Sequence, residues 1–424
     1  MRRFTTIAGA LLVLAGCTES ETSIVGPGGA RGTSPLPAPG DGATNVTSET
    51  SSDLWARIMT GETGPGSSYQ LYLPRQWNGS AVYYAHGIRD VLEPVSLRDQ
   101  DAFQAMRDQL GALGYAVAYS SFSENGFAVE DAVRRTHQLR GLLTSQFGQP
   151  ERSFLVGNSL GALAVMQLAE QFPDQYDGVV PICGIAGGTQ AQLDYVVNVR
   201  ALFDYFYGSL NLLPGTADAP VPGYVMDGAT QQKIIAAVTA NPLGMLVIAS
   251  TAQTPLEFTT GPQMVESLIA ALAYHARGAD NVLSFTNGKF PVSNIGLTYS
   301  PRPGLIVPPL TLPAVTGLLA GVNAQIPRFD SDSSAVVWAD NHFKPSGALQ
   351  IPTLTLHNRW DRLVPFFHET MFEARVADAG ATNLLVQRAN PAWGYGHCVI
   401  PTGAVVQAIT DLGAWVETGI KPNN

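Results

Sequence analysis

Ser159 stands inside Gly157-Asn158-Ser159-Leu160-Gly161, between the apolar run Phe154-Leu155-Val156 and a second apolar stretch that starts at Leu160. A serine hydroxyl is a weak nucleophile until a base takes its proton, and that base needs an acid to fix its tautomer. His397 lies in Trp393-Gly394-Tyr395-Gly396-His397-Cys398, a glycine-rich stretch late in the chain, and Asp361 in Leu356-His357-Asn358-Arg359-Trp360-Asp361. A serine, a carboxylate and a histidine in this order suit acyl transfer through a covalent acyl-serine. The pattern G-x-S-x-G alone arises about 0.3 times by chance in a chain of this length, so its context decides. Here a buried strand meets a helix, the junction a nucleophile elbow requires.

The other histidines fit the role of base less well. His137 falls in a helical pattern, His275 and His342 in an irregular middle region, His357 at a strand end and His368 on the helix that follows. For the acid, Asp361 follows a strand end, where open parallel sheets build their sites; Glu369 and Asp340 are weaker candidates. Pairing of Asp361 with Arg359 or Arg362 in a surface turn is the bland alternative. Two amides could stabilise an oxyanion: that of Leu160 at a helix start, and that of Ile88 after His86-Gly87 at the end of an early strand. Trp360 beside the acid and Trp393 near the base could line an apolar or aromatic acyl pocket, or could pack the edge of the fold.

Positioning these residues takes a sheet. Apolar runs from Tyr69, Ala81, Tyr115, Ser153 and Gly178 read as strands, with helices predicted over 97–113, 129–147 and 160–172. Strand and helix alternate, which implies an α/β fold: a mainly parallel sheet with helices on both faces. From 187 to 349 the rhythm gives way to apolar helical pieces between proline- and glycine-rich connections, read as a large inserted, mostly helical cap. Strands over 351–357 and 383–388 and helices over 366–377 and 405–416 then resume the pattern. The core is therefore 53–186 with 350–424.

The chain of 424 residues is 45% hydrophobic and 14% charged, enough apolar content for a sizeable core, and its net charge is -10. Nucleic acid is an unsuitable partner, because binding it needs a dense cationic surface and the acidic chain has no dense Lys/Arg cluster. Residues 1–16 combine a basic start with an apolar stretch too short to span a bilayer, which predicts an export signal. Leu14-Ala15-Gly16-Cys17 resembles the bacterial lipobox, and that resemblance implies cleavage before Cys17 and acylation of it. The expected location is then the cell envelope by lipid anchor alone, or the outside medium. Residues 17–52, poor in large apolar side chains, read as a flexible tether. Besides Cys17 there are Cys183 and Cys398, an even number for an oxidising compartment; one disulfide or two separate buried thiols are both open.

The order Ser159, Asp361, His397, the His86-Gly87 loop and the strand–elbow–helix context resemble the α/β-hydrolase superfamily from about residue 53 to 419, the insertion excepted. The resemblance implies a serine esterase with the insertion as a lid over the acyl or leaving-group pocket. His397-Cys398 also resembles the His-Cys pair of tannases and feruloyl esterases, in which that cysteine bridges to one beside the catalytic serine. This chain departs from them, with Asn158 before the serine, so the resemblance leaves Cys183 as the partner of Cys398. The expected activity is hydrolysis of a carboxylic ester, small or polymeric, extracellular and apolar or aromatic. It requires no cofactor, and no metal-ligand spacing is seen. An amidase or peptidase on the same triad is the alternative within catalysis. A catalytically silent cell-surface binding protein is the alternative outside it.

Overall fold

The computed structural model describes residues 45–98, 101–252, 254, 261–302 and 312–424. The export signal, Cys17 and the tether up to residue 44 lie outside the described residues. The chain forms β1 (Asn45–Thr50), β2 (Trp55–Glu62), β3 (Ser68–Pro74), β4 (Ser80–Ala85), α1 (Asp101–Ala112), β5 (Ala116–Ser120), α2 (Val129–Phe147), β6 (Arg152–Asn158), α3 (Leu160–Gln171) and β7 (Gly178–Ile182). Among the described residues, seven α-helices follow before the next strand: α4 (Thr189–Tyr207), α5 (Gly228–Ala240), α6 (Pro242–Thr251), α7 (Gly261–Tyr274), α8 (Asp280–Phe285), α9 (Leu312–Gln325) and α10 (Ser333–Asn341). The core resumes with β8 (Thr353–Leu356), α11 (Phe367–Asp378), β9 (Leu385–Arg388) and α12 (Thr402–Thr418).

One nine-stranded sheet runs in the order β1-β2-β3-β5-β4-β6-β7-β8-β9. From β5 to β9 every pairing is parallel, while β1, β2 and β3 add an antiparallel edge that joins at β5. Side chains of a strand point alternately to the two faces, and β4 shows the consequence. Ala81, Tyr83 and Ala85 join the core beneath α2 and α3, whereas Val82 and Tyr84 join the core beneath α1 and α12. Both faces are covered, so the central strands are apolar throughout instead of alternating with polar residues.

The antiparallel edge corrects the expected tether, which was to reach residue 52. Asn45–Thr50 instead pairs with β2, and β2 itself was not anticipated. Polar composition hid β1, but Val46, Thr47 and Thr50 are β-branched and suit an edge strand exposed to water. Glu49 on β1 meets Arg57 on β2 at 2.6 Å.

Candidate active site

The elbow is set by what cannot fit around it. A Cβ on Gly157 would lie 2.3 Å from the Gly161 carbonyl oxygen, and one on Gly161 would lie 2.2 Å from that of Ala85. Only glycine is tolerated at either place, and this lets β6 turn directly into α3. Ser159 at the corner has φ 55° and ψ -120°, a conformation that non-glycine residues rarely adopt. Its N–H donates to the Ile182 carbonyl of β7 at 2.9 Å, which holds the strained residue in the sheet frame.

The structure brings Ser159, His397 and Asp361 together at the carboxyl edge of the parallel strands. His397 Nε2 is 2.9 Å from Ser159 Oγ, and its Nδ1 is 2.8 Å from Asp361 Oδ2. Asp361 is fully buried. Burial pushes its carboxyl up, but the charge and hydrogen bond of His397, with His357 and the Val364 amide, outweigh that and hold it below the ordinary value. Its Oδ1 accepts from the Leu363 and Val364 amides at 2.9 Å each, and its Oδ2 accepts from the Cys398 amide at 3.2 Å. The expected rivals are occupied elsewhere. Arg359 lies over the Phe366 ring, Arg362 faces Glu266, and Glu369 accepts from Thr355 and Gln387. Asp340 faces Lys344.

The loop after β4 lies against Ser159, since a Cβ on Gly87 would come within 3.2 Å of Ser159 Cβ. His86 is buried and stacked on Phe122, and its Nδ1 donates to the Gly87 carbonyl at 2.7 Å. Burial, helped by Arg89, depresses this imidazole to about 3, so it stays neutral. The Gly87 carbonyl and the Ile88 N–H belong to one trans peptide plane and point in opposite directions. By gripping the oxygen, His86 therefore fixes where the Ile88 N–H is aimed. Leu160 is the first residue of α3, where N–H groups have no partner within the helix.

The tryptophans lie in different settings. Trp360 forms a parallel bridge with Tyr395, and its carbonyl accepts from the Gly396 amide at 3.2 Å, so its backbone ties the acid loop to the histidine loop. Trp393 packs against the core beneath α1 and α12, as Cys398 does. Cys183 and Cys398 have Cα atoms 5.4 Å apart, adjacent enough for a disulfide. Their sulfurs and a His397 nitrogen all lie within 4.8 Å of one another, the closest approach to a metal-ligand group among the described residues.

Several residues at the site gave no signal in the sequence. Asn158 accepts from the Tyr84 hydroxyl at 2.6 Å, which fixes the residue before Ser159. From the insertion, α7 reaches the histidine loop: Tyr395 donates to the Gln263 carbonyl at 2.8 Å and lies 2.9 Å from Ser267 Oγ. From α4, Gln192 reaches the acid loop at the Leu363 carbonyl. A cavity of about 260 Å³ lies within the insertion, between Tyr207, Leu213 and Phe329, and no triad residue lines it.

The sheet order and the sharp turn from β6 into α3 define an α/β-hydrolase fold, and its carboxyl edge brings Ser159, His397 and Asp361 into one hydrogen-bonded chain. No family model matches the chain. Two curated proteins resemble it over limited segments. A probable feruloyl esterase B-2 of Aspergillus flavus is 28% identical over 170 residues, 38% of this chain and 31% of that protein. An o-phthalyl amidase of Xanthobacter agilis is 27% identical over 137 residues, 29% of this chain and 26% of the amidase. The chain thus spans less than a third of the length of either relative. Among solved structures, an esterase from Aspergillus oryzae aligns with a TM-score of 0.46 at 15% identity, over 86% of this chain and 80% of that one. The rice cell wall degrading esterase LipA from Xanthomonas oryzae aligns with a TM-score of 0.44 at 15% identity, over 90% and 97%.

Proposed function

We propose that the chain hydrolyses carboxylic esters through an acyl-serine. The observation that carries this reading is the relay itself, Ser159 Oγ to His397 Nε2 at 2.9 Å and His397 Nδ1 to Asp361 Oδ2 at 2.8 Å. His397 takes the Ser159 proton as Oγ attacks the ester carbonyl, and the Ile88 and Leu160 amides receive the oxyanion. His397 then returns the proton to the leaving alcohol, and water repeats the sequence to release the acid. The reading of an aromatic acyl group rests on the partial likeness to a feruloyl esterase. An amide substrate is the second reading, supported by the partial likeness to an o-phthalyl amidase. A panel of p-nitrophenyl esters from acetyl to long acyl, with cinnamoyl and benzoyl esters and the matching anilides, separates the two. Turnover of esters but not anilides supports the esterase; turnover of anilides at a comparable kcat/KM supports the amidase. A folded protein that turns over neither and does not react with a fluorophosphonate is a binding protein.

Activity should fall on acidification as His397 takes up a proton and can no longer act as the base. Asp361 behaves otherwise. Its carboxyl is depressed in the folded chain, so the stability it contributes is complete above the unfolded value and is lost only as pH falls through the lower, folded one. Tm should nevertheless decline between pH 7 and about 5, because His86, His137, His275 and His368 are held neutral in the fold and take up protons on unfolding. The loss of activity, assayed well below the melt, should be fully reversible on return to pH 7; a loss that is not recovered would count against protonation of His397 as its cause.

Cys183 and Cys398 form a disulfide in this reading, and it anchors the histidine loop to the end of β7. Cys398→Ala should cost about 2–4 kcal/mol of stability, read by urea unfolding. It should also lower kcat more than it raises KM, because the loop it releases carries the base. The insertion serves as the cap over the acyl site, and Cys17 as a lipid-anchored N-terminus in the cell envelope. Fatty-acid labelling that disappears in Cys17→Ala tests the latter.

A further inference from the structure

His368, one residue into α11, has no part in the proton relay, yet it is fully buried and both its ring nitrogens are bonded. The Gly187 amide donates to its Nδ1 at 3.0 Å. A backbone N–H can only donate, so Nδ1 is an acceptor and the proton sits on Nε2. Nε2 faces Gln192 Oε1 at 2.8 Å, and this orients the Gln192 amide with its nitrogen outward. That nitrogen donates to the Leu363 carbonyl at 3.0 Å. The Leu363 amide in turn donates to Asp361 Oδ1 at 2.9 Å. Every link has one direction, and Gln192, His368 and Asp361 are each fully excluded from water. Gly187 leaves no room for a side chain, since a Cβ there would lie 2.6 Å from His368 Nδ1.

We infer that Gln192, oriented by His368, is a positioning residue for Asp361, so that the first helix of the insertion holds the acid of the triad in its working geometry. This rests on the serine-hydrolase reading above and deepens it: the insertion is a working part of the site as well as a cover. The titratable groups that bear on His368 are His357, Asp361 and Arg375, and burial first of all depresses its imidazole to about 3. It is therefore neutral at any pH at which the protein works, and the direction of the links does not change.

The test compares Gln192→Met and Gln192→Glu with the wild type on p-nitrophenyl acetate across pH, with kcat expressed per site titrated by a fluorophosphonate. Gln192→Met removes both bonds at nearly constant volume. Its kcat should fall about ten- to a hundredfold at every pH with KM within about twofold, the scale of loss when a reacting group is misplaced by up to an ångström. Gln192→Glu separates positioning from packing. Protonated, its carboxyl accepts from His368 and donates to the Leu363 carbonyl, as glutamine does; ionised, it repels that carbonyl. It should match the wild type at low pH and acquire an alkaline limb that the wild type lacks. Both variants within about twofold of the wild type in kcat at every pH would overturn the inference, whatever happens to Tm. If Gln192→Met does not fold, the alkaline limb of Gln192→Glu decides alone. Ser159→Ala, run alongside, keeps the two readings apart: full activity in it removes the serine mechanism and says nothing of Gln192.

Discussion

Ser159→Gly should abolish turnover, a loss on the order of 10⁶ in kcat, and should melt at a higher temperature than Ser159→Ala, which is equally inactive. The two halves of this expectation come from the same atoms. Activity requires Oγ at 2.9 Å from His397 Nε2, and both variants remove it. Stability turns on the backbone, because Ser159 is held at φ 55° by the carbonyls that crowd Gly157 and Gly161. A non-glycine residue in such a conformation costs about 1–3 kcal/mol. Alanine keeps that cost, whereas glycine removes it and gives back roughly 0.5–1 kcal/mol through the greater freedom of the unfolded chain. The net difference of about 1 kcal/mol should appear as a rise of a few degrees in Tm. Equal melting of the two variants would mean that the elbow stores no strain.

The elbow also shows how far the sequence could be read. Local periodicity exposes α2, predicted over 129–147 and found as Val129–Phe147, and the central strands, because both faces of the sheet are covered and each strand is an unbroken apolar run. Ser159, Asp361 and His397 were legible for a related reason: each follows a strand that the pattern marks clearly, so topology brings them to one edge. Gln192, His368 and Asn158 were not. Their roles depend on which way a side chain faces in three dimensions and on partners up to 181 positions away, and no local pattern encodes that. His368 reads as a helical histidine, but nothing in its neighbours marks it as lying behind Asp361. The strand at Asn45–Thr50 was missed because a solvent-exposed edge strand carries little apolar signal.

Asp361→Asn should leave the fold intact and lower kcat by about 10⁴, and the surroundings of the carboxylate say why so small a change has so large an effect. Oδ1 faces two backbone donors, the Leu363 and Val364 amides, at 2.9 Å each. An asparagine cannot turn its NH₂ toward two N–H groups, so its oxygen must take that side and its nitrogen must replace Oδ2. The new NH₂ then points at His397 Nδ1, which lies 2.8 Å from the present Oδ2 and 3.0 Å from Oδ1. With a donor at the nearer position, and with Oδ1 already accepting from two amides, Nδ1 is set to accept and the single proton of the neutral ring moves to Nε2. Nε2–H faces Ser159 Oγ as a donor, so the histidine can no longer take the serine proton. The NH₂ also meets the Cys398 amide, which now donates to Oδ2 at 3.2 Å, and that conflict should lower Tm modestly. Because the fault is the tautomer and not the geometry, it has a distinct pH signature. As pH rises, an imidazolate or hydroxide can substitute for the missing base, so the residual activity of Asp361→Asn should climb with alkalinity where the wild type is level. A measured kcat–pH profile for the variant that parallels the wild type at a uniformly lower value would point instead to loss of position, and with it to Gln192 and the insertion as the larger influence on the acid.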